Sequence, residues 1–266
     1  MVPGADRRIV IANGSLYTVR VMLKVACQNV FWFQGRPFPS AEPGPPTPGV
    51  FAGLVRYYRR LDPDVLCLQE VQTEAVFRDL AEEVGLDGCY CPGGGLPQYG
   101  GVVLWRRGRP VLDSRSAAEP PERMWQVAEV PTAAGPLTVA NVHLPSNRHL
   151  GEAESAHRRL AEMAEVLDRG EPDIVAGDFN EQPGGPITRF LGERGYSDVA
   201  AITGRLELAT TPKGRRNDQL WVQGAVAGRI VAYDVAARSE MRADVPGKDY
   251  LSDHFPLHAV LRMECK

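Results

Sequence analysis

The stretch Pro172 to Gly185, PDIVAGDFNEQPGG, constrains this chain more than any other. Asp173 to Ala176 is a short apolar, β-branched run that reads as a buried strand, and Gly177 is expected to break it. Asp178 and Asn180 then stand two residues apart, so at an extended strand end both would face one side. Pro183, Gly184 and Gly185 follow at once, so a rigid sheet hands over to a loop at two side chains able to hold metal or phosphate. An Asp and an Asn after a strand also serve as turn residues that cap their own backbone, and this stretch alone does not separate the two readings.

Other apolar runs meet polar residues in the same way. Leu23 to Gln28 alternates as a strand and ends at Asn29, while Val65 to Gln69 is followed by Glu70. Leu137 to Val142 ends in His143, a strand Asp218 to Val222 begins at Asp218, and the final strand Pro256 to Leu261 is preceded by Asp253 and His254. Further strands are expected at Val102 to Arg106, Val111 to Arg115 and Trp125 to Val130; with no helices between them, they predict antiparallel pairing. Val50 to Arg60 carries Phe51, Leu54, Val55 and Tyr58 on one helical stripe, and Thr73 caps a helix running to about Val84. Gly151 to Arg169 repeats the pattern with Ala156, Leu160, Met163 and Leu167, leaving Arg158, Arg159, Glu162 and Glu165 to face water. A short helix to about Leu191 and a turn at Gly195 follow the 172–185 stretch.

At 266 residues the chain can bury a substantial core, and it is expected to form one domain over residues 22–266. Residues 1–21 read either as an upstream extension or as extra edge strands, with IVIA and LYTVRV pairing about Asn13-Gly14. A net charge of -3 excludes an overall basic field but leaves room for a locally basic groove. No apolar run reaches the roughly 20 residues that span a bilayer, and MVPGADRR lacks an apolar signal core, so the expected location is cytoplasmic. Among the cysteines, Cys27 and Cys67 read as small buried hydrophobes, and Cys89 and Cys91 as loop residues. The segment Gln34 to Gly49 carries Pro37, Pro39, Pro43, Pro45, Pro46 and Pro48, so it is expected to be a long loop, either an exposed insertion or a flap facing substrate.

Asn29, Glu70, His143, Asp178, Asn180, Asp218, Asp253 and His254 thus share one position type, the strand end. Hydrolysing a phosphate ester needs a hard divalent cation on carboxylate oxygens, an activated water, and donors for the phosphoryl oxygens, and this set supplies each. The segments NV at Asn29, DVLCLQEV around Glu70, NVHLPS around His143, GDFN at 177–180, RNDQLWV around Asp218 and SDHFPL at 252–257 stand in order. In these segments the chain resembles the endonuclease/exonuclease/phosphatase superfamily from about residue 22 to 263. The resemblance implies the deoxyribonuclease-I-like fold, a four-layer α/β sandwich of two packed, mixed, mainly antiparallel sheets flanked by helices.

It also implies roles. Glu70, with Asn29 and Asp253, would hold Mg2+, for which Mn2+ can substitute; Asp178 would orient or deprotonate water. Asn180 and His143 would hold phosphoryl oxygens, and Asp218 would orient and protonate His254. Phe31 stands where some members place another acid, which gives no support to a second metal, and Asn217 and Gln219 flank Asp218 where an aliphatic and an aromatic residue are commoner. Lys213, Arg215 and Arg216 precede a site strand and are the substrate-binding candidates, with Trp32, Phe33 and Phe38 available for stacking. Arg148, Arg158 and Arg159 read as a solvated face or as one wall of a phosphate groove. The expected function is a metal-dependent phosphoesterase cleaving a phosphodiester, DNA or RNA first. A phosphatase or phosphodiesterase on a small metabolite or lipid head group, specialised small-molecule chemistry and a non-catalytic binding module are the alternatives. No protein partner can be inferred.

Overall fold

The computed structural model describes residues 20–37, 43–106, 120–132 and 135–264. In chain order its elements are β1 (Arg20–Asn29), a single 3-10 turn (Phe31–Phe33), α1 (Pro48–Leu61), β2 (Val65–Gln69), α2 (Glu74–Val84), β3 (Asp87–Cys91) and β4 (Gly101–Trp105). Then come β5 (Met124–Thr132), β6 (Gly135–His143), α3 (Asn147–Leu150), α4 (Glu152–Asp168), β7 (Ile174–Asp178) and α5 (Pro186–Glu193). β8 (Tyr196–Asp198), α6 (Val199–Ile202), β9 (Asp218–Gln223), α7 (Gly224–Ala227), β10 (Ile230–Val235) and β11 (Leu257–Glu264) complete it.

The strands form two sheets, ordered β10-β11-β1-β2-β4-β3 and β5-β6-β7-β9-β8. Each has one parallel pair, β1 with β2 and β6 with β7, and every other pairing is antiparallel. A parallel pair needs a crossover, supplied here by α1 and by α4, and it brings two strand C-termini side by side. Asn29 therefore sits beside Gln69, and His143 beside Asp178, which also faces Asp218 at the start of antiparallel β9.

Alternation within the strands explains the layers. Val65 and Cys67 of β2 join Val25, Cys27 and Val103 against Val139, Ile174, Ala176 and Leu220 of the other sheet. Leu66 and Leu68 point the opposite way, onto Leu54 and Tyr58 of α1 and Leu80 of α2. Met163, Val166 and Leu167 of α4 and Leu191 of α5 cover Val142, Val175 and Trp221 on the outer face of the second sheet. β2 and β7 are buried on both faces, hence their unbroken apolar runs. The result is helix, sheet, sheet, helix: the expected α/β sandwich.

One polar group bolts the sheets together. Buried Asn141 of β6 donates to the carbonyls of Leu68 and Val102, both at 3.0 Å, and accepts from Gln69 Nε2 at 2.6 Å. Each bond is made in a low-dielectric interior, where losing it leaves an expensive unpaired partner.

Several expectations need correction. β7 does not break at Gly177 but runs to Asp178; the glycine is required because a Cβ there would lie 1.9 Å from the carbonyl oxygen of Val142. Cys89 and Cys91 lie in β3 rather than a loop, and burial pushes both thiols up to about 11. Arg159 and Glu162 are buried rather than solvated. α1 begins at Pro48, since proline fits the first turn of a helix and the preceding loop is shorter for it. β8, α6, α7 and β10 had no counterpart in the sequence reading. The expected strand at 111–115, residues 1–19 of the expected N-terminal hairpin, and Phe38 lie outside the described residues; Arg20 and Val21, the end of its LYTVRV strand, begin β1 and pair with Glu264 and Met263 of β11. Among those residues no helix is long and apolar enough to cross a membrane.

Gly177→Ala is expected to destabilise the fold by about 3 kcal/mol through this backbone overlap, measured by urea unfolding. A variant as stable as the parent would show that β6 and β7 are not packed as described.

Candidate active site

The register places five site residues at adjoining strand ends, and side-chain contacts close the cluster. Asn29 Nδ2 donates to Glu70 Oε1 at 3.0 Å and to Asp178 Oδ2 at 3.2 Å, so one amide links the two sheets across the site. The loop before β11 is pinned to the same end: Ser252 Oγ donates to the Asn29 carbonyl at 2.8 Å, and Gln28 Nε2 to the His254 carbonyl at 2.9 Å. This anchoring delivers His254. Its Nδ1 lies 2.7 Å from Asp218 Oδ2, and its Nε2 lies 3.7 Å from Asp178 Oδ2.

Burial works against charge on His254, but Asp218, Asp253 and Asp178 outweigh it and hold the imidazole protonated well above its ordinary range. Burial alone would raise the Asp178 carboxyl; His254 and Arg123, with the Asn180 N–H at 2.9 Å, instead hold it below its usual value. His143 is the opposite case. It is completely buried, 3.8 Å from Glu70 and 3.5 Å from Asp178, and burial together with Arg123 keeps it neutral.

Arg123 is the site residue that the sequence reading missed. It lies one residue before β5, where Met124 pairs with His143, so the strand-end rule that found the others also applies to it. Its Nη1 meets His143 Nε2, and its guanidinium lies 4.5 Å from the centre of the half-exposed Tyr99 ring. Its charge lowers the carboxyls of both Glu70 and Asp178.

Two groups of ligand atoms bear on a cation. Asp178, Asp218 and His254 offer atoms within 4.8 Å of one another, but a protonated His254 bonded to Asp218 has no lone pair to give. Glu70 differs: it is buried, its Oε2 has no hydrogen-bond partner, and burial pushes its carboxyl up to about 7. Asp253 Oδ1, 3.9 Å from His254 Nε2, is likewise buried and unpartnered. Two carboxylate oxygens without a hydrogen-bond partner form a donor set that suits a hard cation, whereas Asn29 turns its amide nitrogen to Glu70 and its Oδ1 accepts from the Phe31 N–H at 3.0 Å.

The sequence profile described as the Endonuclease/Exonuclease/phosphatase family matches residues 28–254, the interval from Gln28 at the end of β1 to His254. The chain belongs to this family. Among curated relatives it is 28% identical over 178 residues to protein angel homolog 2 of Mus musculus, covering 56% of this chain and 32% of the relative. It thus spans about a third of that relative's length. Among solved structures, ANGEL2, described as a 2',3'-cyclic phosphatase in complex with adenosine-2',3'-vanadate, superposes with a TM-score of 0.65 at 17% identity, over 94% of this chain and 99% of that one. TDP2 of D. rerio, complexed with a single-strand DNA product, gives 0.64 at 18% identity, over 90% and 98%. At these identities the superpositions show a shared fold.

Within this family framework the basic and aromatic candidates divide. Arg216 does not face substrate: it is buried, and its Nη1 and Nη2 reach the two Asp198 oxygens at 3.1 and 2.6 Å, tying the loop before β9 to β8. Lys213 and Arg215 are exposed on the neighbouring turn. Trp32 and Phe33 are core residues, the indole N–H donating to the Gln98 carbonyl at 2.8 Å, so neither offers a free stacking face. Arg148 is exposed and close enough to influence Tyr99, whereas Arg159 is spent on the Pro145 carbonyl and Asn147 Oδ1. Asn180 Nδ2 donates to the Leu144 carbonyl at 3.0 Å, with one N–H left for another partner.

Arg216→Ala, which strands buried Asp198, should cost about 3 kcal/mol of stability. Lys213→Ala/Arg215→Ala should leave the melting temperature unchanged. Thermal denaturation of the two variants tests the division; equal melting temperatures would return Arg216 to the surface.

Proposed function

We propose that the chain is a divalent-metal-dependent phosphoesterase that hydrolyses a phosphodiester, with nucleic acid as the substrate class. The observation that carries this reading is the line Asp218–His254–Asp178, joined through Asn29 to Glu70 on the other sheet. An ionised Asp178 is placed to orient a water and accept its proton, while the cationic His254 beside it steadies negative charge developing on the phosphoryl group. Asp218 fixes the His254 tautomer, directing Nε2 toward the reacting centre. Arg123 and the spare Asn180 N–H are donors for phosphoryl oxygens; the neutral His143, whose Nε2 accepts from Arg123 Nη1, would steady that guanidinium rather than donate to the phosphate itself.

Glu70 and Asp253 would hold Mg2+, or Mn2+ in its place, as their unpaired oxygens favour; Asn29, expected as a third ligand, would instead position the Glu70 carboxylate through its Nδ2. A bound divalent ion supplies positive charge to the phosphate and its leaving oxygen. Nucleic-acid chemistry is supported by the neighbours, one solved with an adenosine-2',3'-vanadate and one with a DNA product. A small phosphate ester is the second reading, favoured by the loss of Arg216 from the basic group that was expected to track a polymer backbone.

Purified protein is to be assayed on plasmid DNA, single-stranded DNA and RNA, an RNA end carrying a 2',3'-cyclic phosphate, and chromogenic phosphodiester and monoester, with Mg2+, Mn2+ or chelator. Chelation should abolish turnover. Glu70→Gln should weaken metal binding, and Asp178→Asn and His254→Ala should each lower kcat by about a hundredfold or more; His254→Ala, which strands buried Asp218, should also lower the melting temperature and is assayed below it. Variants that keep parental rates would remove these residues from the mechanism.

The pH profile has a definite sign. His254 carries a raised pKa, so its protonated form, and the stability that form contributes, persist below the ordinary value and are lost as pH rises through the raised one. Activity should therefore fall on an alkaline limb, and Asp218→Asn should move that limb toward acid. An unmoved limb would show that the Asp218–His254 pair does not control it.

A further inference from the structure

We infer that Glu162 is a positioning residue for Arg123: from α4 it holds the backbone segment that delivers this guanidinium to the phosphate. The inference rests on the reading of Arg123 given under the proposed function, and concerns how that side chain is kept in place.

Arg123 has no strand ladder of its own, because β5 begins at Met124. Residues 121–123 are held instead from two sides. On one, the N–H groups of Gly94, Gly95 and Leu96 donate to the carbonyls of Arg123, Pro121 and Glu122 at 2.6, 2.8 and 3.1 Å. On the other, the N–H of Glu122 donates to Glu162 Oε1 at 2.9 Å. Arg158, one turn earlier on α4, reaches the same carboxylate oxygen at 3.4 Å and the Pro120 carbonyl at 3.5 Å. α4 thus does two jobs, packing the second sheet with Met163, Val166 and Leu167 and gripping the 120–122 backbone with Arg158 and Glu162.

Glu162 is only 6% exposed, and a carboxylate at such a place is costly where leucine would simply pack. The neighbouring Glu122 cannot substitute for it. Both Glu122 oxygens are buried without a hydrogen-bond partner, the nearer lying 4.0 Å from Arg123 Nε, so Glu122 offers a field but no bond. Burial pushes the Glu162 carboxyl up to about 7, so near neutrality it need not be charged to do its work. The requirement is an acceptor at the right reach, which glutamine also provides.

The test is a double-mutant cycle on the full chain with Arg123→Ala, Glu162→Ala, Glu162→Gln and Arg123→Ala/Glu162→Ala. The readouts are hydrolysis of bis(4-nitrophenyl) phosphate, calorimetric affinity for inorganic phosphate, affinity for Mn2+, and melting temperature. Glu162→Ala should weaken phosphate binding and raise KM by about tenfold with kcat less affected, by letting Arg123 drift from its place. Glu162→Gln should stay within about twofold of the parent, Mn2+ affinity should shift alike in Glu162→Ala and Arg123→Ala because each takes the same charge from beside Glu70, and adding Glu162→Ala to Arg123→Ala should cost nothing further. Losses that multiply in the double variant, or a glutamine variant as weak as the alanine one, would overturn the inference. Glu162→Asp, which keeps the charge but shortens the reach, should behave as the alanine variant and replaces it if that one does not fold. The proposed function fails separately, if the parent does not hydrolyse the ester. The phosphate cycle still reads the positioning role in that case, and an Arg123→Ala variant with parental phosphate affinity would overturn it.

Discussion

Everything at the site depends on two parallel strand pairs facing each other across one apolar layer. Antiparallel pairing alone would send neighbouring strand ends in opposite directions. The crossovers α1 and α4 instead bring the C-termini of β1 and β2 together, and those of β6 and β7, at the same end of the molecule. The buried Asn141 amide then fixes one sheet against the other, two residues from His143 and beside Gln69, which precedes Glu70. A site assembled from both sheets inherits its geometry from that seam.

Charge is the second theme. Glu70, Asp178, Asp218 and Asp253 converge at one end of the two sheets, and the protein answers them with His254 and Arg123. The balance is uneven in space. Asp178 and Asp218 have a cationic imidazole between them, whereas Glu70 keeps an unpaired buried oxygen and a carboxyl raised toward neutrality. Under the proposed function, this arrangement would separate the work of moving a proton from that of holding a cation before any ligand arrives.

Much of this was legible in the sequence because strand ends leave a strong trace: β-branched apolar runs stop abruptly at Asn29, Glu70, His143 and Asp178. The layers followed from the family resemblance. Arg123 was hidden because a single arginine before an apolar run resembles any solvated residue, and only the pairing of Met124 with His143 reveals its place. Arg216 misled for the converse reason. Composition shows a basic cluster but not the partner Asp198 that neutralises one member of it. Gly177 read as a breaker because local propensity cannot register the close approach of a neighbouring strand. β8, α6 and α7 are too short to carry a period, and their positions are set by the strands they cap.

Several of these turns have a left-handed backbone. Phe31, Trp32 and Phe33 have φ of 50, 52 and 55°, and Glu70 and Asn180 have φ of 59 and 49°. For residues with a Cβ each such conformation costs about 1 kcal/mol or more, and glycine would relieve it. Two side chains to which the proposed function gives a role, Glu70 and Asn180, therefore sit where the backbone would be more comfortable without them. Under selection for thermostability alone, glycine would be favoured at these two positions, so on the proposed function heat resistance and activity would pull against each other there.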